Sequence, residues 1–126
     1  MIRNVVLIAA ILVMGTFCMH GIDVKSPVPF SAFQCLLSKG VEFVVIRGYT
    51  GDGNLDSSAS SNLRLIQSIG LTGDIYMETC RAKNATEQAN EMLDAIPSNL
   101  YNKVWVSIQK GKGSCAWTGF PATSNC

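Results

Sequence analysis

EFVVIRGY, residues 42 to 49, is β-branched and aromatic over most of its length and reads as a strand. Gly51, Asp52, Gly53 and Asn54 follow as a loop. Beyond them Leu63, Ile66 and Ile69 recur at helical spacing until Gly70 stops the pattern. Strand, loop and helix make one unit, and similar units flank it. Upstream, GIDV (21 to 24) is a short apolar run ended by the turn-like KSPVP; Phe30, Phe33, Leu36 and Leu37 then form a helical stripe before Gly40. Downstream, DIYM (74 to 77) is a third strand. NATEQANEMLDAI starts from an Asn84 or Thr86 cap, carries Glu87 in its first turn and aligns Ala89, Met92, Leu93 and Ile96 before Pro97. KVWVSI (103 to 108) is the fourth strand. Repeating βα units of about 25 to 30 residues predict an α/β fold with a parallel sheet covered by helices.

The chain has 126 residues, 48% hydrophobic and 15% charged, the balance of one globular domain. Arg3 and the apolar run VVLIAAILVMG (5 to 15) have the form of a secretory leader and fall short of the ~20 residues that span a bilayer. Thr16 and Cys18 suit the positions before a cleavage site, so residues 1–18 are expected to be a signal peptide and the protein secreted. An uncleaved anchor is the rival reading. The mature part, 19–126, then keeps Cys35, Cys80, Cys115 and Cys126. An even count in a secreted chain predicts two disulfides; the pairing stays open, with Cys115 to Cys126 the first expectation because the two share a short loop-like segment. His20 is the only histidine and the cysteines lack CxxC spacing, which disfavours a zinc site. Without Arg3, nine Lys and Arg face nine Asp and Glu, with no basic cluster; nucleic acid and an anionic membrane surface are therefore not expected partners. GDGN (51 to 54) lacks the lysine and spacing of a phosphate loop, and no cofactor or metal is expected. Asn84-Ala85-Thr86 is a candidate N-glycosylation triplet or simply a helix cap.

In parallel βα architectures ligands gather at the carboxyl ends of strands. Those ends carry Asp23, Arg47 with Tyr49, Tyr76 with Glu78, and Ser107 with Gln109. Alternation in the last strand sends Val104, Val106 and Ile108 to one face, expected under the helices, and Trp105, Ser107 and Gln109 to the other. Ser107 and Gln109 thus share a face about 6 to 7 Å apart, a spacing that would suit a carboxylate pair at a sugar. They are an alcohol and an amide instead.

Taken in order, GIDV, VVIRGYTGDGNLD (44 to 56), DIYM followed by Cys80, and a VW-x-x-I strand followed by C-x-W and N-C resemble the family 25 glycoside hydrolases, in particular the lysozyme-like proteins of invertebrates. The likeness runs from Gly21 to Cys126 and covers about the first half of such a domain. It implies a partial (β/α)8 barrel of TIM type whose lineage cleaves bacterial peptidoglycan in defence against bacteria. It also implies that Asp23 matches the first catalytic carboxylate. The D-x-E motif of the fourth strand falls on Ser107-Ile108-Gln109, both acids being replaced. Arg47 and Tyr49 match the R-G-Y motif and, with Tyr76, Glu78 and Trp105, are candidates for lining a glycan groove. Glu78, just past the third strand, is either a substitute acid facing Asp23 or a solvated loop residue. Trp105 and Trp117 either stack on sugars or fill the barrel centre and pack on the disulfide loop.

The remainder, GKGSCAWTGFPATSNC (111 to 126), shows no periodicity and ends on the cap-type residues Thr123, Ser124 and Asn125. An interrupted sequence is the expectation; open sheet edges that self-associate, or a remnant held by disulfides, are the alternatives. The functional expectation is a lysozyme-like protein without catalytic power, the alternative being a module that binds peptidoglycan or a related glycan, or one that signals.

Overall fold

The computed structural model describes residues 18–110 and 113–118. Strands and helices alternate: β1 (Gly21–Val24), α1 (Phe30–Ser38), β2 (Phe43–Tyr49), α2 (Ala59–Ser68), β3 (Thr72–Glu78), α3 (Ala85–Ala95), a short 3-10 turn (Ser98–Leu100) and β4 (Val104–Ser107). The four strands form one parallel sheet in the order β1-β2-β3-β4, a partial α/β barrel-like fold. Residues 1–17 of the proposed leader, and Cys126, lie outside the described residues. Among the described residues no helix is long and apolar enough to cross a membrane.

Local chemistry sets the helix ends. Asn84 caps α3, its side-chain oxygen accepting from the backbone N–H of Thr86 (2.9 Å) and Glu87 (3.2 Å). Gly70, at φ +79°, takes the left-handed turn that releases the chain from α2 into β3. The core lies between the helices and one sheet face: Phe33 from α1, Val44 and Ile46 from β2, Leu63 and Ile66 from α2 and Ile75 from β3 are all fully buried.

On α3 the buried residues are Gln88 and Met92, continued by Ile96 just past its end, whereas Leu93, expected inside, is exposed. Gln88 is inside because its amide spans the backbone of Cys80: Oε1 accepts from the N–H (2.7 Å) and Nε2 donates to the C=O (2.9 Å). This satisfies both peptide groups where the chain leaves β3.

β4 departs from expectation. Val104, Val106 and Ile108 are 43%, 61% and 51% exposed, not covered by helices. α2 packs on β2 and β3, and α3 on β2; β4 is an edge strand beyond their reach.

The disulfide expectation is also corrected. Cys80 bonds Cys115, so Cys115 is not paired with Cys126, and Cys35 is a free, exposed thiol. Cys80 follows β3 and Cys115 follows β4. Parallel neighbours bring those two carboxyl ends side by side, which outweighs closeness in sequence. The backbone N–H of Arg81 donates to Cys115 C=O (3.0 Å), and Trp117 Nε1 donates to Thr79 Oγ1 (2.9 Å), so the 113–118 segment is held against the end of β3. Trp117 packs beside the disulfide as one of its two readings had it.

Candidate functional site

The sheet face opposite the helices carries the polar side chains. Residues paired across parallel strands point the same way. Arg47, Tyr76 and Trp105 therefore form one row, and Glu78 and Ser107 the next. At the carboxyl ends of the strands, Asp23, Tyr76, Glu78, Trp105, Ser107 and Gln109 line an open cleft of about 310 Å3. Six of the eight residues singled out from the sequence are thus brought together.

Trp105 is half-exposed, and its indole N–H donates to Asp74 Oδ2 (2.9 Å), while Asp74 Oδ1 accepts from the Lys103 N–H (3.1 Å). Asp74 is buried and was not expected to act at the site; its even spacing from Tyr76 along β3 was the available signal. Trp105 does not fill a barrel centre: its ring is displayed.

Arg47 borders the cleft as a clamp. Its Nε donates to Asp56 Oδ2 (2.8 Å), its Nη2 to Lys25 C=O (3.1 Å), and its Nη1 lies 3.5 Å from Glu78 Oε2. The end of β1, the loop after β2 and the end of β3 are joined through one guanidinium. Glu78 is the last residue of β3, not a solvated loop residue; its side chain is 14% exposed and also accepts from the Gly51 N–H (3.0 Å). Asp56, another residue with no expected role, receives Ser58 N–H and Oγ–H as well as Arg47. Burial works against the charge of both partners. In Arg47 the bond to Asp56 and the charges of Asp56 and Glu78 together outweigh it and raise the pKa; in Asp56 the bonds from Ser58 and Arg47 together outweigh it and lower the pKa below the ordinary 3.8. Burial, then the Glu78 charge, raises the Tyr76 hydroxyl.

The Asp56 shift has a measurable consequence. A carboxyl whose folded pKa is depressed contributes stability above its unfolded value and loses it as pH falls through the folded one. Melting temperature is expected to drop on acidification below about pH 4. Asp56→Asn should be less stable at pH 7 and show a flatter acid limb; limbs of equal steepness would contradict this role for Asp56.

Tyr49 stands apart from the cleft. Arg47 pairs with Tyr76 but Tyr49 with Met77, so β2 carries an extra residue at Gly48. A Cβ on Gly48 would come 2.8 Å from both Ile96 Cδ1 and Met92 Sδ, which is why α3 can lie this close. The bulge turns Tyr49 to the helix side. There it is fully buried, its hydroxyl bonded to the Glu91 carboxylate and receiving Lys83 Nζ (2.8 Å). Burial, reinforced by Glu91, raises its pKa.

At the position of the D-x-E resemblance, Gln109 Nε2 donates to Ser107 Oγ (3.3 Å). Neither group carries charge or releases a proton near neutral pH. Among the described residues no cluster of His, Cys, Asp and Glu is arranged to hold a metal ion. The arrangement displays the ring of Trp105 beside the largely buried Tyr76, flanked by the carboxylates of Asp23 and Glu78.

A parallel βα sheet with such a cleft at its strand ends has the layout in which α/β barrel proteins place their ligand sites. Residues 15–123 match the family described as Lysozyme-like protein 1, and the chain belongs to this lysozyme-like family. It is 30% identical over 97 residues to Lysozyme-like protein 5 of Caenorhabditis elegans, covering 72% of this chain and 45% of that protein. It is 27% identical over 103 residues to Probable GH family 25 lysozyme 4 of Dictyostelium discoideum, covering 79% and 46%. Probable GH family 25 lysozyme 2 of the same organism is 29% identical over 93 residues, covering 71% and 44%. The chain spans about half the length of the curated relatives it matches. No solved structure matches it.

Proposed function

We propose that this chain is a secreted glycan-binding member of the lysozyme-like family that holds bacterial cell-wall glycan in the strand-end cleft without cleaving it, and serves in defence against bacteria. The carrying observation is the Ser107–Gln109 pair bonded together where the family's two acids fall. Glycoside hydrolysis needs a group that gives a proton to the leaving oxygen and a charge that stabilises the cationic state of the sugar. An alcohol and an amide supply neither, and loss of the acid alone costs a factor of roughly 10² to 10⁴. Glu78 does not replace it: its carboxylate is engaged by the Gly51 N–H and by Arg47, which holds it as a link between loops. Binding is the property that the remaining residues support, Trp105 offering a ring face, the buried Tyr76 lying beside it in the cleft wall and Asp23 being an exposed acceptor. Secretion is supported by the leader pattern and by the Cys80–Cys115 bond, which belongs to an oxidising compartment.

Two assays on one preparation test the reading. The protein should sediment with insoluble peptidoglycan and leave the turbidity of a bacterial wall suspension unchanged. Clearing that depends on both Asp23 and Glu78 would restore the enzyme reading. Failure to sediment would favour an interaction or signalling protein without glycan binding. Association of copies along the open β1 and β4 edges accompanies the proposal, and sedimentation velocity at rising concentration checks it.

A further inference from the structure

Asn84-Ala85-Thr86 is the only Asn-x-Ser/Thr triplet of the sequence, and its middle residue is not proline. The fold puts it where the connection between β3 and α3 enters the helix, with Asn84, Ala85 and Thr86 all exposed. Asn84 is extended, at φ −61° and ψ 132°, and caps α3. Capping and carrying a sugar are not rival roles for this side chain, because they use different atoms of one amide. Both partners of the cap, the backbone N–H groups of Thr86 and Glu87, are donors, so the atom that faces them is the acceptor Oδ1. Nδ2 diverges from them, and among the described residues it donates to no protein group. Attachment at Nδ2 leaves Oδ1 its lone pairs, so a modified Asn84 keeps its cap. Thr86 takes part in the cap through its backbone, and its hydroxyl has no protein partner among the described residues.

The surroundings leave room for a large substituent. Neither Asn84 nor Thr86 lines the strand-end cleft, so carbohydrate at this position leaves that cleft open. Ala85 of the triplet lines an apolar groove of about 410 Å3 with Ala89 of α3, Val106 of β4 and Trp117. Val106 is among the most exposed apolar residues of the sheet. Carbohydrate attached one residue away gives this surface a strongly hydrated neighbour.

We infer that Asn84 carries an N-linked oligosaccharide. The donor is a lipid-linked oligosaccharide pyrophosphate, and a transferase of the secretory compartment moves the sugar. The bond from sugar C1 to the pyrophosphate oxygen breaks and the pyrophosphate leaves with its electron pair; the C1–Nδ2 bond forms, and the Nδ2 proton passes to a base of the transferase. The inference rests on the secretion reading above and goes beyond it by assigning a modified residue.

The test expresses the full chain, with residues 1–18 in place, in cultured insect cells. The protein should run as a heavier form that collapses to the unmodified mass on treatment with an N-glycan amidase, which leaves a carboxylate at position 84 for peptide mapping to find. Thr86→Ala removes the acceptor pattern and spares the cap, and Asn84→Asp keeps a capping oxygen without the acceptor nitrogen; both should abolish the shift. Thr86→Ser should retain it. Protein recovered from the medium at its unmodified mass overturns the inference and spares secretion. A heavier form kept inside the cells supports the inference and overturns secretion, whereas an unmodified form kept inside overturns both. A shift that survives Thr86→Ala places the sugar elsewhere and overturns the assignment.

Discussion

Replacing Cys80 and Cys115 with alanine lowers the unfolding free energy by about 4 kcal/mol. The two cysteines are separated by 35 positions, and closing a loop of that length removes this much chain entropy from the unfolded state. The loss is a large part of the stability of a domain of this size. The bond spans α3, the 3-10 turn and β4, so its removal also lets the least covered strand part from β3. Chemical denaturation with the linear extrapolation measures it, and a reducing agent added to the unmodified protein should reproduce the shift. Cys35→Ser, at an exposed free thiol, should leave the midpoint where it was. A double-alanine protein within about 1 kcal/mol of the parent would show that the bridge does not hold the sheet edge.

Trp105→Ala weakens retention on insoluble peptidoglycan by about 30-fold, the effect of truncating an aromatic anchor worth about 2 kcal/mol. Trp105 is 53% exposed and its indole N–H is aimed by Asp74, so its ring is displayed in a defined direction at little conformational cost. Deleting it should cost the fold much less than it costs the ligand. Trp105→Phe should fall between, keeping a ring and losing the bond that aims it. Tyr49→Phe is the informative contrast. Tyr49 lies under α3, so this change should lower stability through the Glu91 and Lys83 contacts and leave glycan retention intact. Undiminished retention by Trp105→Ala, in a protein that still binds, would remove the cleft from the proposal.

Much of the fold was legible because it rests on local period. Leu63 and Ile66 face inward as their spacing requires, Gly70 takes the positive φ expected after a helix, and Asn84 caps α3. Alternation along β4 correctly put Trp105 and Ser107 on one side, and with them came the cleft. Strand-end position and the R-G-Y resemblance put Tyr49 at the groove, whereas the bulge at Gly48 adds one residue to the ladder and the side chain is buried under α3. Gln88 lies outside the apolar row aligned from the sequence, yet it is buried on a backbone that only the turn after β3 presents to it. Asp56 gave no signal and Asp74 only its even spacing from Tyr76, since each acts through a partner distant in sequence or on another strand: Arg47 for one, Trp105 and Lys103 for the other.

By itself the sequence determined the βα alternation, the parallel sheet and the loss of charge at positions 107 and 109, all properties of short-range pattern or of side-chain identity. Only the tertiary structure decided which cysteines meet, which side of the sheet receives Tyr49, and that Arg47 is a clamp and Trp105 a displayed ring. These depend on the spacing of neighbouring strand ends and on one extra residue in a ladder. Strand neighbours and ladder registry are set by contacts between segments tens of residues apart, which no local period records.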